Sequence, residues 1–150
     1  MTVIYIDADA CPVKDEVYRV AERYRLRVFV VSNSWIRTPR LDWVTLQIVD
    51  DGPDVADDWI ADRVVVGDVA ITADIPLAER VIKAGGEALH PTGRRFTPDS
   101  IGGALASRAV GEHLRSVGEV TGGPRPFQPS DRSRFLQQLD AAVNRARRAG

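Results

Sequence analysis

Asp7 closes an apolar run, Val3-Ile4-Tyr5-Ile6, and Asp9 follows two residues later in the segment Asp-Ala-Asp-Ala-Cys-Pro of residues 7–12. A second apolar run, around residues 69–72, leads into Asp74, and between the two lie Asp54, Asp57 and Asp58. Carboxylates held close together repel one another, which raises their pKa values unless a cation compensates. Mg2+ or Mn2+ suits that role, because hard divalent ions prefer carboxylate and water oxygens. An ion held this way can generate hydroxide, polarise a phosphoryl oxygen and stabilise a leaving group, which is the chemistry of phosphodiester hydrolysis. Each acid taken alone has a plainer account. Asp at a strand end caps a turn or the helix that follows; Asp54 reads as an N-cap, Asp58 and Asp62 as a solvated helix face. Convergence from three strand ends is what favours a shared site.

The elements that must position these acids follow from the hydrophobic pattern. Residues 3–6 read as a buried parallel strand. Pro12 opens a helix, with Val17, Val20, Ala21 and Tyr24 at helical spacing to about residue 25. Strands are expected at 28–31 and 44–49, then turn chemistry at Asp50-Asp51-Gly52-Pro53. Residues 54–64 form an amphipathic helix carrying Val55, Ala56, Trp59, Ile60 and Arg63. A fourth strand spans 69–72, a helix runs from Pro76 to Ala84, and Gly85-Gly86 ends it. Glu87–His90 is a short fifth strand, and residues 91–96 are a polar loop. A helix begins at Pro98-Asp99 and runs to about Ser116; residues 118–129 are Gly/Pro-rich; Pro129-Ser130-Asp131 then starts a last helix.

Alternating strands and helices predict one α/β domain over residues 1–150, three layers α/β/α with a mostly parallel sheet of about five strands. In such sheets ligands bind beyond the carboxyl ends of the strands, where strand order reverses. If the first and fourth strands are neighbours there, Asp7 and Asp74 converge and the start of the second helix approaches the same edge.

Composition limits the alternatives. The chain has 150 residues, 44% hydrophobic and 27% charged, as in a folded globular domain. No apolar run reaches the roughly 18–20 residues that a membrane-spanning helix needs, so no membrane association is expected. The one cysteine, Cys11, excludes an intramolecular disulfide; with no basic, cleavable leader at the start, this suits a cytoplasmic protein. Net charge is −1, so no global positive field points to nucleic acid. The basic residues are nearly all arginine, Lys14 and Lys83 being the two lysines among 20.

The segments Ile-Asp-Ala-Asp-Ala-Cys-Pro-Val-Lys (6–14), Val-Ser-Asn-Ser-Trp (31–35), Asp-Val-Ala-Asp-Asp-Trp-Ile-Ala (54–61), Ile-Thr-Ala-Asp-Ile-Pro-Leu-Ala (71–78) and residues 120–135 together resemble the bacterial YaiI/YqxD family of uncharacterised proteins. The resemblance runs from residue 3 to about 139. That family looks like a distant branch of the PIN-like nuclease superfamily, whose members hold Mg2+ or Mn2+ on clustered acids to cut RNA or DNA. The resemblance implies a PIN-like fold and maps the superfamily's first aspartate onto Asp7, its helix-opening aspartate onto Asp57 ahead of Ile60-Ala61, and its Thr-x-Asp onto Thr72-Ala73-Asp74. Thr72 then supports the acids from behind. One departure stands out: PIN domains carry a further acid on a helix between the first and third of these, and Asp15, Glu16, Glu22 and Asp42 do not match it. Asp9 or Asp58 is left to complete the set.

The reading is therefore a metal-dependent nuclease, with Asp7, Asp9, Asp57 and Asp74 catalytic and Asp7, Asp57, Asp58 and Asp74 holding Mg2+ or Mn2+. RNA is the expected partner ahead of DNA, and homodimer formation is a further implication of the PIN resemblance. Lys14, Asn33, Trp35, Arg37, Arg40 and Arg125 are the candidate nucleic-acid contacts, since aromatic and arginine residues interleaved on a loop suit a single strand; a Trp that anchors the loop to the core, and solvated arginines, are the plainer account. Arg94, Arg95 and the glycines near Arg125 offer further phosphate donors. Cys11, with no partner base, reads as packed and inert. Two other functions compete. One is a PIN-like module that binds nucleic acid or protein without cutting. The other is a haloacid-dehalogenase-like phosphatase, with Asp7 as nucleophile, Asp9 as general acid, Ser32 ending the second strand and Gly67-Asp68 near the metal; the lysine that mechanism needs is missing between Lys14 and Lys83.

Overall fold

The computed structural model describes residues 1–9, 11–102 and 127–150. In chain order its elements are β1 (Val3–Asp7), α1 (Lys14–Tyr24), β2 (Arg27–Ser32), β3 (Val44–Ile48), α2 (Val55–Arg63), β4 (Val69–Ile71), α3 (Ile75–Lys83), β5 (Glu87–Leu89), β6 (Arg95–Phe96), the described part of α4 (residues 98–102) and α5 (Pro129–Ala149). The sheet order is β3-β2-β1-β4-β5-β6. All neighbours run parallel except β5 and β6.

Successive strand residues point to opposite faces, and both faces of this sheet are covered. Ile4, Ile6, Val28, Val30, Val69, Ile71 and Leu89 pack under α1 and α5, with Val17, Val20, Phe135, Leu139 and Val143 opposite them. Tyr5, Val31, Ala70 and Ala88 take the other face with Ile60 of α2 and Leu77, Ala78 and Val81 of α3. The three-layer expectation holds. Asp7 shares the parity of Tyr5, so its carboxylate belongs to the α2/α3 side.

The structure departs from the sequence expectation in places. A sixth strand, β6, lies where a polar loop was expected: Phe96 is buried, His90 N–H donates to Arg94 C=O, and the chain doubles back antiparallel on β5. α1 begins at Lys14 rather than at Pro12, with Val13 in the N-cap position and no side-chain cap. α2 is less amphipathic than its spacing suggested, since Ile60 is its one buried residue. Its hold on the sheet comes from Ile60 together with Trp59, whose ring meets Tyr5 and Phe29 at centroid distances of 6.1 and 5.6 Å. The helix expected to run to Ser116 is described to residue 102, and most of the 118–129 segment, Arg125 included, lies outside the described residues.

Candidate functional site

The chain leaves β1 to build β2 and β3 on one side, then crosses by α2 to β4 on the other. Strand order therefore reverses between β1 and β4, and a crevice opens at their carboxyl ends. A cavity of about 680 Å3 occupies that crevice, lined by Asp7, Asp9, Asp50, Asp54, Asp57 and Asp74 together with Ser32, Asn33, Ser34 and Ile36. Four of the expected acids thus meet in one place.

Each acid is held by its element. Asp74 is the N-cap of α3, its Oδ1 accepting from Leu77 N–H at 2.9 Å, with Pro76 following in the first turn. Its own N–H donates to Thr72 Oγ1 at 3.0 Å, and the Thr72 hydroxyl donates to Asp7 Oδ2 at 2.9 Å. A chain of two hydrogen bonds so links the β4–α3 turn to the end of β1. Thr72 is 1% exposed and Asp7 9%, which leaves the pair little freedom. Thr72, to which the resemblance assigned a supporting role, makes this contact with Asp7.

The electrostatics match a site short of positive charge. Burial raises the Asp7 carboxyl above the usual range; hydrogen bonds from Thr72 and from the Asp9 backbone oppose the rise, and the charges of Asp9 and Asp74 add to it. Asp57 goes further, to about 6, through burial first and then the charges of Asp74, Asp7 and Asp54, with Arg80 opposing. Asp54 stands at the lip in the left-handed region, φ 67°, as N-cap of α2 without a side-chain cap bond. The capping role expected for it is one of position alone.

Other candidates fall elsewhere. Asp58, the neighbour of Asp57, is exposed and pairs with Arg80 Nη1 at 2.6 Å; it does not line the cavity. Asn33 lines the acidic cavity, whereas Lys14, Trp35, Arg37 and Arg40 line a second one next to it. Cys11 is buried, and burial pushes its thiol up, so it is an inert core residue. Asp68, placed near a metal by the phosphatase reading, sits at the opposite end of the sheet. It is 3% exposed and accepts from Val3 N–H at 3.1 Å and Val65 N–H at 3.0 Å, which fixes the start of β1. Asp50, Asp54 and Arg80 were not singled out as site residues. The first two sit in or beside the turn after β3, a position facing the crevice only once that strand is placed; nothing local marks Arg80.

Oxygen donors dominate the cavity, as a hard divalent ion requires. Among the described residues, however, no three His, Cys, Asp or Glu side chains stand close enough to clasp one ion together. Among the described residues no helix is long and apolar enough to cross a membrane.

The model of the family described as uncharacterized BCR, YaiI/YqxD family matches residues 5–145. A UPF0178 protein of Caulobacter sp. (strain K31) is 68% identical over 148 residues, 99% of this chain and 98% of its own length. One from Caulobacter vibrioides (strain NA1000 / CB15N) is 62% identical over 149 residues, 99% and 97% of the two chains. One from Azorhizobium caulinodans is 56% identical over 147 residues, 98% and 92%. No solved structure matches the chain.

Proposed function

The chain belongs to the YaiI/YqxD family, and we propose that it is a PIN-like, metal-dependent phosphodiesterase that cuts nucleic acid, RNA ahead of DNA. One observation carries this reading: Asp7, Asp57 and Asp74 arrive from three different elements at one crevice, where burial first, and then the charges of Asp74, Asp7 and Asp54, push the Asp57 carboxyl up to about 6 against the opposing Arg80. A fold tolerates such repulsion where a ligand relieves it. Asp7 and Asp74 would hold Mg2+ or Mn2+ with Asp57 across the cavity. The ion's part is to lower the pKa of a water and to neutralise charge on the phosphoryl oxygens.

The protein's own part is orientation. Thr72 holds Oδ2 of Asp7 through its hydroxyl, which sets the direction of the carboxylate. The α3 N-terminus takes one oxygen of Asp74 in capping, which locks the carboxylate's direction. Asp9, exposed and lining the same cavity, would act on waters there rather than as a direct ligand.

Asp7→Asn and Asp74→Asn are expected to lower Mn2+-dependent cleavage of an RNA oligonucleotide at least ~100-fold, the upper end of what loss of even a supporting residue costs a metal site. Asp7→Asn should keep or raise the melting temperature, because it removes acid–acid repulsion; a marked loss of stability would reassign Asp7 to capping. A Mn2+-soaked crystal with density between Asp7 and Asp74 would support the reading directly, and a water bridged to an arginine there would count against it. A non-cutting binding module is the second reading, favoured by the lack of a three-acid clasp among the described residues. Calorimetry with Mn2+ separates the two, since a module that binds RNA but takes up no ion is not a metal nuclease.

A further inference from the structure

The second cavity, about 740 Å3, is lined by Lys14, Asp15 and Tyr18 of α1 and by Trp35, Arg37, Thr38, Pro39 and Arg40 of the loop after β2. Its volume falls in the range of about 300–1,000 Å3 typical of small-ligand sites. Three cations face one acid there, in a chain whose net charge is −1. Among the described residues Arg37 and Arg40 make no ion pair, so their guanidinium groups are not committed to a carboxylate of the chain. Lys14 Nζ donates to Cys11 C=O at 2.8 Å, which fixes its ammonium at the cavity wall.

The loop between the cavities acts as a partition. Ser34 and Ile36 line the acidic cavity, and Trp35 and Arg37 line the basic one, the alternation of an extended chain. The wall between the two cavities is therefore one backbone thick. Trp35 does not anchor the loop: it is 72% exposed, while Ile36 and Trp43 pack against the core. Tyr18 contributes a ring to the opposite wall; its hydroxyl is closed off from solvent and has no partner among the described residues, so the cavity meets its ring.

We propose that this basic cavity is a nucleotide subsite that takes one unpaired base on Trp35 and the adjoining phosphates on Arg37, Arg40 and Lys14, next to the acidic crevice. A large exposed indole beside unpaired guanidinium groups is the arrangement on which bases stack irrespective of sequence. A base can enter only when it is out of a duplex, so the subsite selects unpaired strands. The inference rests on the phosphodiesterase reading for its purpose, though not for its test.

The test uses full-length Asp7→Asn protein in EDTA, where cutting is suppressed. Fluorescence anisotropy is followed with labelled oligo(U) and oligo(dT) of about 12 nucleotides, within the span of known single-strand sites, and with their duplexes. Both single strands should bind, and the duplexes should bind weakly. Trp35→Ala should weaken single-strand binding about 5- to 150-fold, the worth of one stacked base, and Trp35→Phe should keep most of it. Replacing Arg37 and Arg40 by Ala should reduce the slope of log K against log salt by about 1.4. Single-strand affinity unchanged in Trp35→Ala, duplexes bound as well as single strands, or no binding at all would each overturn the subsite. A Mn2+ cleavage assay on the otherwise wild-type chain keeps the two ideas apart: Trp35-dependent binding without cleavage sinks hydrolysis alone, and cleavage indifferent to Trp35 sinks the subsite alone.

Discussion

Asp57 is where the strain of the acidic crevice can be measured. Its carboxyl titrates near 6 in the folded chain against 3.8 ordinarily, through burial and the charges of Asp74, Asp7 and Asp54. Between those two values the folded state binds more protons than the unfolded one, so stability falls as pH rises from about 4 to about 6 and then levels. The group is half exposed, and solvent screening brings the cost above pH 6 to about 1 kcal/mol. Asp57→Asn removes that cost. Its melting temperature should exceed that of the wild type by roughly 2–4 °C at pH 7.5 without metal, and the gap should close near pH 4. Millimolar Mn2+ should narrow the gap by stabilising the wild type more. Thermal scans at several pH values check this, and a gap that ignores pH would mean that the acids do not feel one another.

At the scale of elements, α2 carries the prediction, because Ile60 and the partly buried Trp59 seat it on the sheet. Trp59 lies against Tyr5 and Phe29 on the α2/α3 face, with the Arg63 guanidinium 3.9 Å above its ring. Full truncation of a core Trp costs about 3–5 kcal/mol; Trp59 is half-buried, so Trp59→Ala should cost about 2 kcal/mol, or roughly 4–8 °C. It should also let the first turn of α2 swing, lowering Mn2+ cleavage more than Trp59→Phe does. Equal activity in the two variants, measured well below their melting temperatures, would show that α2 needs no such seat. The same helix shows what was legible in the sequence. Adjacent helical residues are about 100° apart, so Asp57 and Asp58 cannot both face the crevice. Asp57 is in phase with Ile60 and Ala61 on the sheet side and Asp58 with Asp62 in solvent, a distinction already present in the spacing. The Arg80 partner of Asp58 was not, because it depends on how α3 packs beside α2. β6 escaped notice because two residues carry no period, and its register is set by its partner β5.

For the molecule as a whole, the deciding fact is that strand order reverses beside β1, which gathers acids from β1, α2 and the β4–α3 turn into one crevice and sets the basic cavity next to it. This much followed from alternating strands and helices, since a parallel sheet fed from both sides must have such a point. The division into two cavities did not follow, for it depends on the path of the loop after β2, where Ile36 and Trp43 pack against the core. A net charge of −1 exerts no long-range pull on a polyanion, so the proposed subsite would draw on local cations, which among the described residues are Lys14, Arg37 and Arg40. Three phosphate contacts on a single strand predict a slope of log K against log salt of about −2, shallow for a nucleic-acid binder. Anisotropy titrations of oligo(U) between low and physiological salt give the slope directly. A value near −4 or steeper would mean that further cations, with Arg125 the first to test by substitution, carry the strand past the cavity. A slope near zero would mean that stacking on Trp35 holds the base and the arginines do not touch phosphate.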